Sequence, residues 1–305
     1  MNGSKFQSSF FIYPLKSKQF MKTILFPTDF SAVSDHAFEY CLHLAERLDA
    51  WILLYHAHHY SRLDVELVPE GMLQAFEQQE EAKALSYLRK YEEEVQKRLG
   101  KKVKVMHKLD FGFPKEQILY TCKEVKPDLL VMGTTGASSM LNRFLGSVTS
   151  HVIQHAPCPV MAIPAAAPFQ PISRIAYATN FEEDDMGVFE RLEQFASLLE
   201  ASITLVHIRQ VSKGWDLLKV DFFNELFKEK IQTEQMELFM KDCPDIVDGL
   251  NEFVQQQDIH VLAMLTHKRN LLEQLVSRSI TKKMALNTRV PLLTFQKETV
   301  GQLVC

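Results

Sequence analysis

The sequence predicts an α/β protein built of two successive units, and three observations carry that expectation. From Met21 onward, short β-branched runs alternate with long amphipathic stretches, the pattern of βα units that assemble a parallel sheet. The order of these runs then repeats once along the chain. The length, 305 residues, also exceeds what one ordinary domain of roughly 100–150 residues needs.

In the first unit the strand candidates are Thr23–Thr28, Trp51–Ala57, Val103–Leu109, Leu129–Met132 and Val160–Ile163. Most are continuous apolar runs, as strands buried on both faces require. Between them, Ser31–Leu48 opens on a serine suited to capping a helix. Leu73–Leu99 is a long helical pattern, acidic early and basic late, which complements the helix dipole. The second unit offers Arg174–Thr179, Ile203–Ile208, Met236–Met240, Ile259–Leu265 and Pro291–Phe295. Three longer helical patterns, and a fourth near Leu271–Leu286, separate them.

The repeat keeps register. Thr28-Asp29-Phe30 reappears as Thr179-Asn180-Phe181 and His56 as His207, both 151 positions on. Met132 matches Met264 and Pro159 matches Pro291 at an offset of 132, so the second copy is 19 residues shorter. That loss falls between the second and fourth strands, where the first copy carries the Tyr60–Gly71 loop and its long helix. The run Pro164-Ala165-Ala166-Ala167-Pro168-Phe169-Gln170-Pro171 is too rich in proline for an element interior. The expected organisation is a tail at 1–20, a unit at 21–165, a linker at 166–171, a second unit at 172–297 and a tail at 298–305. Met21-Lys22-Thr23 opens the first strand so directly that Met21 is a candidate start, a short ordered arm being the alternative. Phe10–Leu15 is too short for a signal segment, and no small-residue cleavage site follows it.

Composition narrows the function. The chain is 46% hydrophobic and 24% charged, with a formal net charge of −4. No basic block provides a footprint for nucleic acid or an anionic membrane, so neither is an expected partner. No run approaches the roughly 18 to 20 apolar residues of a membrane span. Five widely spaced cysteines without a C-x-x-C pair fit a reducing compartment, and the expected location is the cytoplasm.

The informative segment is Val131-Met132-Gly133-Thr134-Thr135-Gly136, followed after nine residues by Gly146-Ser147-Val148-Thr149. Gly133 and Gly136 would let the backbone pass close to a ligand and take positive φ. Gly146-Ser147 at a helix start would offer N–H groups and a hydroxyl to phosphate. Asp29, Ala57 and Met132 end three strands, where ligands bind in an open parallel sheet. There is no G-x-x-x-x-G-K-[ST] and no G-x-G-x-x-G after the first strand, which excludes a P-loop ATPase and a nicotinamide-type dehydrogenase motif.

This spacing is similar to the nucleotide loop of the universal stress protein family. Phe26-Pro27-Thr28-Asp29-Phe30-Ser31 and Phe111-Gly112-Phe113-Pro114 resemble that family's first-strand end and third-strand exit. The resemblance covers residues 21–165 well and 172–297 weakly. It implies two tandem Rossmann-like domains of the adenine-nucleotide α-hydrolase type, each a five-stranded, mostly parallel sheet with helices on both faces. The last strands, Val160–Ile163 and Leu292–Phe295, would pair the units as an internal pseudo-dimer, and a homodimer is compatible with it.

What the resemblance implies for the site is ATP, with or without Mg2+. Asp29 would contact the ribose and the backbone of Ala57 and Met132 the adenine, with Pro27, Thr28 and Thr134 also among the nucleotide-binding residues. Gly133, Gly136, Gly146, Ser147, Val148 and Thr149 would bind the phosphates. In the second copy Gly133 becomes Leu265, Gly136 becomes Lys268, Gly146 becomes Arg278 and Asp29 becomes Asn180, while Ser147 survives as Ser279. That copy is expected to hold no ATP; an anion on Lys268 and Arg278 is the alternative. The function expected is a stress-response or regulatory module acting through an unnamed protein partner. A slow ATPase or phosphotransferase and a nucleotide-free scaffold are its rivals. With no lysine at the phosphates and no aspartate of the Walker type for Mg2+, fast hydrolysis is not expected.

Weaker signals have structural readings. Strand alternation sends His56 and His58 to one face and His59 to the other, against a three-ligand metal site. Glu77–Glu81 and Glu92–Glu94 read as a solvated helix face, and Phe222, Phe223, Leu226 and Phe227 as a core stripe.

Overall fold

The computed structural model describes residues 23–59, 72–134, 146–181, 185–210, 225, 237–266 and 280–296. The expectations for the two tails, the Tyr60–Gly71 loop, Gly136, the Phe222–Phe227 stripe, Lys268, Arg278 and Ser279 therefore lie outside the described residues.

The first half runs β1 (Thr23–Pro27), α1 (Ala32–Leu48), β2 (Trp51–His58), α2 (Leu73–Leu99), β3 (Val105–Phe111), α3 (Pro114–Val125), β4 (Leu129–Gly133), α4 (Ser147–His155) and β5 (Val160–Ile163). The second half has β6 (Arg174–Ala178), α5 (Asp185–Leu199), β7 (Ser202–Arg209), β8 (Glu237–Asp242), α6 (Ile246–Gln256), β9 (Val261–Thr266), α7 (Ile280–Asn287) and β10 (Leu292–Gln296). Strands of the second half start 151, 151, 132, 132 and 132 residues after their counterparts. The shortening thus falls between β7 and β8.

Strand order is β3-β2-β1-β4-β5-β10-β9-β6-β7-β8. The last strands pair as expected: β5 and β10 run antiparallel, with Leu293 opposite Met161, and so join the two five-stranded halves into one ten-stranded sheet. All other pairs are parallel. Each half alone would leave a hydrophobic edge strand, which is an association hazard; the seam removes both edges.

Alternation along the strands divides the apolar side chains between two faces. Ile24, Phe26, Leu129, Val131 and Leu293 face one layer with α1, α2 and α5. Leu25, Leu130, Met132 and Leu292 face the other with α3, α4, α6 and α7. Both layers run unbroken across the seam. Helix contacts reinforce it: Arg47 of α1 donates to the Leu199 carbonyl at 3.3 Å, and the Tyr40 hydroxyl donates to the Pro168 carbonyl at 2.6 Å.

Two local expectations need correction. β3 begins two residues later than predicted, because Gly100–Lys102 form a turn of 3-10 helix and Val103 is buried as its cap. The first turn of α2 holds no acidic residue, so only its Lys97 and Arg98 end complements the dipole.

Candidate nucleotide site

In the first half the chain builds outward from β1 in both directions, and the order reverses between β1 and β4. Ligand crevices in open α/β sheets lie at such a switch, beyond the carboxyl ends of the strands. Pro27, Thr28 and Asp29 end one strand here, Met132, Gly133 and Thr134 the other, and Ala57 lies one strand away on β2.

On the β1 side, the start of α1 fixes the carboxylate. Ser31 caps the helix, its hydroxyl accepting from Ser34 N–H at 3.3 Å. Asp29 Oδ1 accepts from Ser31 N–H at 3.1 Å and from the Ser34 hydroxyl at 2.7 Å. Asp29 is nevertheless exposed, so a carboxylate held by two donors lies at the protein surface at the end of β1. Phe30 next to it has φ 60°, a left-handed conformation costly for a bulky residue. The Thr28 hydroxyl accepts from Phe30 N–H at 3.0 Å, and the Phe30 ring packs between His56 and Tyr87 at centroid distances of 4.4 and 5.0 Å.

On the β4 side, the close of the glycine segment is pinned twice. Gly146 N–H donates to the Thr134 carbonyl at 2.8 Å, and the buried Thr149 hydroxyl donates to the Gly133 carbonyl at 2.8 Å. These bonds tie Gly133 and Thr134 at the end of β4 to the start of α4. Among the described residues no side chain caps that start, as is also true of α2 and α3. Ser147 is exposed at the first helical position and Val148 is half-buried behind it. The first turn therefore presents N–H groups and a hydroxyl, a suitable surface for an anion. Thr149 has committed its hydroxyl to Gly133, which leaves its backbone N–H as the group for a ligand.

Gly133 is not in positive φ, contrary to the sequence expectation. It ends β4 in the ladder with Ile163 opposite, which keeps its backbone extended. Its requirement is steric: a Cβ would lie 2.8 Å from Val33 Cγ1 and 3.2 Å from the Val33 carbonyl oxygen. The glycine admits the first turn of α1, and with it the Ser31 cap and Asp29. Met132 and Ala57 are buried with their side chains in the core, so only their backbone can meet a base. Sequence reasoning missed Val33 and Ser34; a serine three residues after a capping serine was the available signal for the latter.

His56 is a packed strand residue, as read from the sequence. Its Nδ1 donates to the Thr28 carbonyl at 2.7 Å. His58 lies beside it with centroids 5.8 Å apart. Among the described residues no three His, Cys, Asp or Glu side chains are grouped to hold a metal. Burial lowers the His56 pKa below the usual 6.5; the Thr28 bond opposes this, His58 adds to it and the Asp29 charge opposes it. A folded-state pKa below the unfolded value means stability present above about pH 6.5 and lost as pH falls through the lowered value. Urea midpoints at about pH 7.5 and about pH 5 should therefore differ less in His56→Gln than in the native chain. Equal falls would assign the acid sensitivity to other groups.

The second half keeps the scaffold and changes the chemistry. His207 Nδ1 donates to the Thr179 carbonyl at 2.8 Å, Phe181 has φ 57°, and its ring lies 4.4 Å from His207. Asn180 stands at the Asp29 position and is exposed. The carboxylate has moved inward: Asp185, at the place of Ser34, is buried and accepts from the hydroxyls of Tyr177 at 2.6 Å and Thr179 at 2.5 Å. Leu265, at the place of Gly133, packs toward the same core layer that admits α1 in the first half. Away from both switch points, a cleft of about 410 Å3 between α6 and α7 is lined by Asp245, Asp248, Asn251, Gln255, Lys283 and Arg289.

Comparison with known proteins gives the family and the fold. A model of the universal stress protein family matches residues 21–164. Universal stress protein MJ0531 of Methanocaldococcus jannaschii is 33% identical over 145 residues, 47% of this chain and 81% of the relative. A universal stress protein A-like protein of Arabidopsis thaliana is 42% identical over 52 residues, 17% of this chain and 30% of the relative. In fold alone, the crystal structure of a universal stress protein from Archaeoglobus fulgidus superposes with a TM-score of 0.67 at 16% identity, covering 90% of this chain and 96% of that one. With one relative at this identity matched over most of its length, and the family model falling on the half that carries the pinned glycine segment, the chain belongs to the universal stress protein family.

Proposed function

We propose that the chain is a cytoplasmic regulatory module of the stress response whose first half binds ATP, with or without Mg2+. The two halves are tandem copies of one unit, joined as an internal pseudo-dimer, and the second copy has lost nucleotide binding. The observation that carries this reading is what lies at the β1/β4 switch: an exposed Asp29 held by Ser31 and Ser34 at the end of β1, and beyond the end of β4 the start of α4, held to it by the Thr149–Gly133 and Gly146–Thr134 bonds. The same crevice in the second half combines Asn180, an inward carboxylate and Leu265, a poorer match to ribose and phosphate. ATP acts by its different affinity for two conformations of the chain, which an unidentified protein partner reads.

The test is the nucleotide content of freshly purified protein, followed by calorimetric titration with ATP of the native chain and of Gly146→Val. The expected result is one ATP per chain, lost in the variant. Two per chain would refute the reading of the second copy, and no binding at millimolar ATP would leave the scaffold. Phosphate release that disappears in Gly146→Val would make the module an ATPase.

A further inference from the structure

Asp29 sits in the turn from Thr28 to Asp35, which joins the end of β1 to the first turn of α1. One hydroxyl from α2 meets both ends of this turn. The Tyr91 hydroxyl donates to Asp35 Oδ1 at 2.5 Å and lies 3.4 Å from the Thr28 hydroxyl. Its proton goes to the carboxylate, which accepts, so the Thr28 hydroxyl donates to the Tyr91 oxygen. Burial, and after it the bond to Asp35, push the phenol pKa up, so that proton stays in place. With its own proton turned to Tyr91, Thr28 offers a lone pair to the Phe30 N–H at 3.0 Å, the bond that accompanies the left-handed backbone of Phe30. The ring of Tyr91 is held edge-on by Phe38 and Phe26, at centroid distances of 4.5 and 6.0 Å, and lies stacked 6.3 Å from Phe30.

We propose that Tyr91 is a positioning residue of the first-half crevice, its hydroxyl tying both ends of the Thr28–Asp35 turn to α2 and so setting where the Asp29 carboxylate meets a nucleotide. This rests on the reading of the crevice as a nucleotide site. The bonds from Ser31 and Ser34 to Asp29 lie within the turn and shape it. Tyr91, 56 positions beyond Asp35, joins it to a separate element. Binding is tighter where such a group is held in place before the ligand arrives. The second half shows the alternative. Thr179 accepts from the Phe181 N–H at 2.9 Å and donates directly to buried Asp185, while Asn180 stands at the surface. Anchoring through Tyr91 to Asp35 leaves the first half a second carboxylate, Asp29, for the surface.

The experiment follows amide hydrogen exchange by NMR in the nucleotide-free full chain and then titrates it with ATP by calorimetry. It compares the native chain with Tyr91→Phe, which keeps the ring and removes the hydroxyl. In the variant the Phe30 and Ser31 amides should exchange about threefold faster or more, and ATP affinity should fall about threefold or more. Tyr40→Phe is the control: it also removes a donated hydroxyl bond, to the Pro168 carbonyl, and should lower Tm with neither readout changed. That separates positioning from stability. Unchanged exchange at both amides, faster exchange with unchanged ATP affinity, or an equal loss of affinity in Tyr40→Phe would each overturn the proposal. A native chain that binds no ATP would overturn the nucleotide reading instead, and the exchange rates would still decide whether Tyr91 holds the turn.

Discussion

Replacing Leu293 by aspartate should separate the two halves of the sheet. Leu293 is 1% exposed in β10 and lies opposite Met161 of β5, in the core layer shared by α1 and α5. Truncating a buried leucine costs about 2–5 kcal/mol, and an unpaired carboxylate there adds a desolvation penalty of its own. Once the seam opens, β10 becomes an edge strand on which a charge is tolerated, so separation competes favourably with unfolding. Small-angle scattering should show a larger radius of gyration, and proteolysis within residues 164–171 should accelerate. The control Leu293→Met should cost less than about 1.5 kcal/mol. An unchanged scattering profile for the aspartate variant would mean that helix contacts such as Arg47 with Leu199 hold the halves together without the seam.

Gly133→Ala should reduce both stability and nucleotide affinity. The added Cβ meets Val33 Cγ1 at 2.8 Å, a stiff β-branched side chain, and the Val33 carbonyl at 3.2 Å. Overpacking of this kind costs about 1–3 kcal/mol, which at about 2–4 °C per kcal/mol lowers Tm by about 2–12 °C. The displaced element is the first turn of α1, so the disturbance reaches the Ser31 cap and Asp29. Adding Val33→Ala removes the closest contact, and the double variant should regain most of the lost Tm. An unchanged Tm in the single variant would show that α1 yields freely and that Gly133 is required for something other than packing.

Much of the fold was legible because its determinants are local. β5 and α2 span the residues that the apolar pattern marked, and Ser31 caps α1 as predicted. The constant offset between Thr28 and Thr179, and between His56 and His207, anticipated a repeated hydrogen bond between histidine ring and threonine carbonyl. β3 was placed less well, because an edge strand with one solvated face has no continuous apolar run to mark its start. The reason for Gly133 was misread, since glycine in a sequence signals missing bulk without saying what fills the space. Asp185 was not singled out at all; its partners Tyr177 and Thr179 reach it only when β6 and α5 pack.

The sequence by itself determined the class of fold, most of the strands and the repeat of their order. Periodicity, capping and glycine spacing act over a few residues, so they can be read along the chain. Only the tertiary structure decided that Val33 dictates Gly133, that the Thr149 hydroxyl bonds the Gly133 carbonyl, and that the second half hides its carboxylate. Each of these is a contact between residues 16 or more positions apart or across packed elements, fixed by side-chain volume and by the need to pair buried polar groups.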